Sequence, residues 1–230
     1  MLLGASYGYL ALLLLAGIAF WPRYLSRLTE SIDPYTHAHA VLALLWCLLL
    51  ICQPFLVRRN RQLHRRVGAL SYVLAPSFVV ASLLLANARF RAMSDTTFRQ
   101  EASTLYLPLS AAVLFGVSYG LAIYYRHDVA LHARFMVATG LPMIDPVVGR
   151  VLFYYGPPLA HPLYIQAITF GLTDLILLGL FAYPSLPLRS RATFALPAAA
   201  FPALHLAWFT VVQSSAWVPF ASWFRNLPLS

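Results

Sequence analysis

The stretch VLALLWCLLLICQPFLV (residues 41–57) runs straight into RRNRQLHRR (58–66). An apolar run without a charge gives way at once to five arginines. A helix crossing a bilayer core needs about 20 apolar residues. Extended back to His37, the run reaches that length. Cation clusters of this kind mark the cytoplasmic end of a span. The stretch therefore predicts a membrane helix that ends at a basic loop.

The composition agrees. The chain of 230 residues is 60% hydrophobic and 10% charged, with a mean hydropathy of +0.72. A soluble domain carries roughly 25% charged residues. All 16 strong cations are arginine, and the net charge is +9. Such a charge also suits nucleic acid. That partner is excluded here because the arginines sit in short clusters between apolar runs. Arginine-only, Ala/Leu-rich usage fits a bacterial source, and the expected location is the bacterial cytoplasmic membrane. Cys47 and Cys52 lie in one apolar run and point to different faces of a helix, so neither a disulfide nor a C-x-x-C motif is expected. The N-terminal run lacks a preceding cation and a small-residue cleavage site, so it is read as a retained span.

The fold expected is an all-α polytopic transmembrane bundle in one domain. Seven spans are predicted near residues 3–21, 37–57, 67–88, 105–125, 135–155, 162–183 and 194–212. The lipid bilayer is thus the first partner, and subunits of a larger membrane complex are another. Nine arginines fall on the side of the 58–66 loop, among them Arg126, Arg134, Arg189 and Arg191. Six fall on the other side: Arg23, Arg27, Arg89, Arg91, Arg99 and Arg225. The densest cluster predicts a cytoplasmic N-terminus and an outer C-terminus. Arg23 and Arg27, directly after the first span, pull the other way. The tail 214–230 is too polar and proline-broken to span. It is expected along the interface, with Trp217, Phe220, Trp223 and Phe224 dipping in.

One tetrapeptide, Leu-His-x-Arg, occurs twice: Leu63-His64-Arg65-Arg66 and Leu131-His132-Ala133-Arg134. Each copy precedes an apolar run on the arginine-rich side. His37, His39 and His161 lie on the other side, and His127 sits in a loop. Two histidine layers resemble the arrangement in membrane b-type cytochromes, where facing helices each give an imidazole to haem iron. His64 and His132 are candidate ligands for a haem iron or contacts for a quinone. Arg66 and Arg134 are candidate anionic clamps, and His37 or His39 with His161 are candidates for the outer layer. The plainer alternative is that all five histidines are interfacial, with Asp128 capping the second motif's helix and arginines holding lipid head groups. His132 and Met136 share a helix face, so His/Met ligation is a further option beside a plain core methionine.

Four ionisable residues lie inside spans: Asp145, Arg150, Asp174 and His205. A charge at the bilayer centre costs about 3 kcal/mol on insertion scales. They are expected to face inward and meet one another. They would form either a proton path or a packing knot, since buried pairs do not prove function. Pro142 and Pro146 should kink or break the fifth span, leaving carbonyls that Arg150 can satisfy. Gly116 and Gly120 form a G-x-x-x-G step, a packing signal of low specificity. Walker A, Rossmann, G-x-S-x-G, zinc-protease and C-x-x-C-H motifs are absent, which argues against covalent haem.

The run Arg61-Gln62-Leu63-His64-Arg65-Arg66-Val67-Gly68 resembles the LHRWLGR stretch of a group of bacterial multi-span membrane proteins catalogued as a domain of unknown function, number 2306. The run 128–136, DVALHARFM, is similar to that group's D-x-x-x-H-R-R-W-M. The resemblance covers roughly His37 to Tyr183. It implies a multi-span helical bundle and carries no activity. The positions it picks out are His64, His132, Arg134 and Met136, with His37 or His39. Ala133, Phe135 and Arg65-Arg66 depart from the pattern, which weakens the case for a stacked ring beside the histidines.

Three functions follow as expectations. The first is a redox or ligand-binding module holding non-covalent haem b or quinone. The second is a non-catalytic assembly or scaffold subunit. The third is a small proton-coupled transporter, with Asp145, Asp174 and His205 as its coupling site and the broken fifth helix as its discontinuous element.

Overall fold

A computed structural model describes residues 2–182 and 188–230. Tyr183, the expected end of the sixth span, lies outside them, as does the side chain of Arg189. The described chain is helical, with no strand. In order it comprises α1 (Leu2–Phe20), α2 (Pro34–Arg59), α3 (Arg61–Ala69), α4 (Ser71–Arg91), α5 (Asp95–Glu101), α6 (Tyr106–Tyr124), α7 (Val129–Gly140), α8 (Ile144–Tyr155), α9 (Pro162–Ala182), α10 (Leu188–Ala198), α11 (Ala200–Val211) and α12 (Trp217–Asn226).

Seven segments are long and apolar enough to cross a membrane: 3–20, 34–59, 61–91, 95–124, 129–155, 162–182 and 190–211. They coincide with the seven predicted spans. Large apolar side chains point outward along them; Leu14 is 67% exposed and Val73 is 70% exposed. That is the reverse of a water-soluble surface and suits a hydrocarbon solvent, where helices satisfy their own backbone.

The starts of the helices are set locally. Asp33, Asn60, Ser94 and Asp128 cap α2, α3, α5 and α7 by accepting backbone N–H bonds. The Asp128 cap was expected. α2 packs on α1 and α4, α6 on α4 and α7, and α8 on α1 and α9. Trp46, fully buried, centres one core cluster with Phe115 and Tyr119.

The fifth span breaks where Pro142 predicted it, in a 3-10 turn at Leu141–Met143 between α7 and α8. Pro142 has no N–H to give, and the Leu141 N–H goes to the Ala138 carbonyl, three residues back. The Val137 carbonyl is left without its helical donor, and the Tyr9 hydroxyl of α1 donates to it. Gly140 admits that ring, because a Cβ there would run into it. Trp46 Nε1 donates to Thr139 Oγ1 at 3.1 Å, so α2 holds the same break.

Two expectations differ in detail. The tail forms α12 and docks on the protein. Trp217 and Phe224 are buried, while Phe220 and Trp223 face outward. Trp217 Nε1 donates to the Ala102 carbonyl at 2.9 Å, and Asn87 Nδ2 donates to the Phe224 carbonyl at 2.8 Å. Helical spacing splits the four aromatics between two faces. Gly116 and Gly120 are exposed, and a Cβ on either would meet nothing within 4 Å. That G-x-x-x-G step makes no close helix contact.

Candidate functional site

The intramembrane residues come together, two in direct contact and two at longer range. Asp174 sits mid-way along α9 and His205 mid-way along α11. His205 Nδ1 lies 2.9 Å from Asp174 Oδ1. The imidazole stacks on Phe170 at 4.2 Å between ring centres, with 7° between planes. Asp145, in the first turn of α8, accepts from Thr169 Oγ1 at 2.5 Å and lies within electrostatic reach of His205. Asp145 and His205 line one cavity of about 20 Å³ with Ser110, Pro142 and Thr173. A water needs roughly 10–15 Å³. Gln166 Oε1 and Trp208 Nε1, on the same two helices, are buried and make no hydrogen bond to protein among the described residues.

Arg150 joins this cluster at longer range, within electrostatic reach of Asp145. Its Nη1 donates to the Pro146 carbonyl at 2.8 Å, the role foreseen for it. Its guanidinium lies over the Phe20 ring, 4.6 Å from the centroid. It makes no ion pair within 4 Å among the described residues, so of the expected four-member knot only Asp174 and His205 are in direct contact. The reason is helical phase. Five positions after Asp145, Arg150 points toward α1 rather than α9.

A polar stripe on α9 escaped the sequence reading. Gln166, Thr169, Thr173 and Asp174 fall at i, i+3, i+7 and i+8, one helix face. Thr169 and Thr173 are buried there. The i, i+3, i+7, i+8 spacing is the sequence signal for it.

The Leu-His-x-Arg copies share a geometry. His132 Nδ1 lies 2.8 Å from the Ala122 carbonyl, near the end of α6. His64 Nδ1 lies 3.4 Å from the Gln53 carbonyl, near the end of α2. Each histidine thus reaches back 10 or 11 residues and ties its helix to the preceding span. The two rings lie within electrostatic reach of each other. A carbonyl only accepts, so His132 Nδ1 carries a proton, and its Nε2 makes no hydrogen bond to protein among the described residues. Around His64, Gln53 is buried, and Ser71 Oγ is 3.1 Å from the Tyr119 hydroxyl.

The arginines of the motifs divide. Arg66 is exposed. Arg134 is 1% exposed, and its Nε and Nη1 donate to the carbonyls of Leu180 and Ala130 at 3.1 and 3.2 Å. It ties α7 to the end of α9, and these two donors meet carbonyls. Met136 packs within the apolar core.

The expected outer histidine layer is dispersed. His37 Nδ1 is 3.0 Å from the Tyr24 hydroxyl. His39 Nδ1 is 3.2 Å from Ser82 Oγ and stacks on Phe78, so of the two it is His39 that faces the bundle. His161 is exposed, and its Nδ1 accepts from the Leu163 N–H at 3.3 Å, capping α9. Three partners on three different segments explain why these rings do not converge. No group of three or more His, Cys, Asp or Glu residues is placed to hold a metal ion among the described residues.

No model of a protein family, no curated protein and no solved structure matches this chain. The resemblance of its two histidine motifs to an uncharacterised bacterial membrane group therefore rests on those motifs alone.

Proposed function

We propose that this is a proton-handling membrane protein, a small proton-coupled carrier whose proton site is Asp174–His205 with Asp145 nearby. The observation that carries the reading is the Asp174–His205 contact of 2.9 Å, set beside a water-sized polar cavity that also holds Asp145. A carboxylate and an imidazole in contact share a proton and change charge at modest cost. Ionisable groups at this depth are costly and by default functional. The helix break at Leu141–Met143 lies directly before Asp145, and broken helices are where carriers build their sites.

The test is proton entry into vesicles. Protein reconstituted into vesicles with a trapped pH dye is driven by a potassium diffusion potential. Wild type should acidify the lumen faster than Asp174→Asn or His205→Phe. Equal rates for wild type and Asp174→Asn count against the reading.

A second reading rests on the histidine pair. His64 and His132 lie in electrostatic reach of each other, and His132 has its Nδ1 proton engaged by a carbonyl. Metal-ligating histidines are commonly oriented by such a bond. A free Nε2 lone pair suits a haem iron better than a quinone carbonyl, which needs a donor. Protein purified from haem-replete cells should then show a Soret band that shifts on reduction and is lost in His132→Ala. A colourless preparation sinks this reading and leaves the first standing.

A further inference from the structure

A second cavity lies at the end of the bundle away from the arginine-rich loop, between the start of α2 and the end of α4. Its volume is about 320 Å³, and it is lined by Asp33, Thr36, Leu85, Ala88, Arg89 and Ala92. Ligand sites for small molecules begin near 300 Å³. The cleft carries opposite charges, and Asp33 and Arg89 form no ion pair with each other.

Each charge keeps bonding capacity. The Asp33 carboxylate is held in place by Thr36, whose N–H donates to Oδ1 at 2.9 Å and whose hydroxyl donates to Oδ2 at 2.5 Å. A carboxylate offers about four acceptor positions; the Tyr35 N–H also bonds to it, and at least one position remains. The Arg89 guanidinium has Glu101 as its nearest carboxylate, at 4.0 Å, beyond hydrogen-bond range. Its donors are not consumed by that contact. Leu85, Ala88 and Ala92 supply an apolar floor.

We propose that this cleft binds a zwitterion of the phosphoethanolamine type, with its phosphate on Arg89 and its ammonium on Asp33. Guanidinium and phosphate match in planar, bidentate geometry. The short carbon linker lies over the alanines. A purely anionic head group meets the Asp33 carboxylate, and a purely cationic one meets Arg89. The paired charges therefore select a molecule that carries both. The position at the ends of two spans puts the cleft at head-group level, so a membrane lipid and a free phosphoethanolamine compound are the two possible sources. The site is separate from the intramembrane proton cluster and does not depend on it.

The test titrates purified protein in detergent with glycerophosphoethanolamine and with glycerophosphoglycerol by calorimetry. Parallel samples in phosphatidylethanolamine and phosphatidylglycerol nanodiscs are melted. Wild type should prefer the ethanolamine compound by about tenfold, the worth of one charge-assisted bond. Asp33→Asn, which still caps α2, should lose the preference. Arg89→Gln should lose binding of both compounds. Preference in solution identifies the free compound as a sufficient source. A higher melting point in phosphatidylethanolamine discs alone, abolished by Asp33→Asn, identifies the lipid. Equal behaviour of the two head groups in both formats overturns the proposal.

Discussion

His205 Nδ1 sits 2.9 Å from Asp174 Oδ1, while the same imidazole lies flat on Phe170. The ring is fixed in plane by stacking and in direction by the carboxylate. Each partner relieves the other's cost of leaving water, so removing one should leave the other exposed to that cost. His205→Phe is expected to lower stability by about 1–3 kcal/mol, and Asp174→Asn, which can still hydrogen-bond, by less. The double variant should cost less than the sum of the two. Melting of detergent-solubilised protein checks this, and strict additivity would show that the pair is not coupled.

The broken fifth span gives a second expectation. Tyr9 supplies the donor that the Val137 carbonyl loses when the Leu141 N–H turns to Ala138, and its ring occupies the space beside Gly140. Tyr9→Phe should cost about 1–2 kcal/mol through the orphaned carbonyl. Gly140→Ala should cost more in the wild-type background than in Tyr9→Ala, where the clash is gone. A four-variant melting cycle reads that coupling directly.

The two Leu-His-x-Arg motifs should differ in strength. The His132 bond to the Ala122 carbonyl is 2.8 Å, and its His64 counterpart is 3.4 Å. His132→Ala should therefore destabilise by about 1 kcal/mol and His64→Ala by distinctly less. The same melting assay ranks them, and the reverse order would show that the equivalence of the two motifs is misread.

Asp33 gives the pH dependence. Partial burial pushes its carboxyl up, but the Thr36 hydroxyl and backbone bonds outweigh this and hold it below the usual carboxylate range. A depressed group stabilises the fold above its unfolded value of about 3.9 and loses that stability as pH falls through the lower folded value. Wild type should thus lose stability on acidification in this window, and Asp33→Asn, which caps without titrating, should lose less. Asp33→Ala should cost about 1 kcal/mol at neutral pH. Melting points measured against pH decide it.

Much of this was legible in the residues. Apolar runs of span length and the arginine cluster after Val57 foretold seven spans, because hydrocarbon leaves the chain few alternatives. Pro142 foretold the break, since a missing N–H is a local fact. The charged members of the core cluster were legible by cost, because Asp145, Asp174 and His205 cannot stay unpaired at that depth. Partner choice was not legible. Helical phase keeps Arg150 out of contact with Asp145, and Arg134 donates to the Leu180 carbonyl of a distant helix and to the Ala130 carbonyl one turn back on its own. The Tyr9–Val137 bond spans 128 positions, and no local pattern announces it. The histidine repeat showed that two helix entrances were alike, but not that each ring turns back to the preceding span.

The most direct test of the central claim is infrared difference spectroscopy across a pH titration of the reconstituted protein. Protonation of Asp174 should appear as a carboxyl carbonyl band that grows on acidification, vanishes in Asp174→Asn and titrates at a different pH in His205→Phe. Asp145→Asn should remove a separate band and leave the first in place. Identical titrations of wild type and Asp174→Asn would contradict the account, because no proton would then be exchanged at the Asp174–His205 pair.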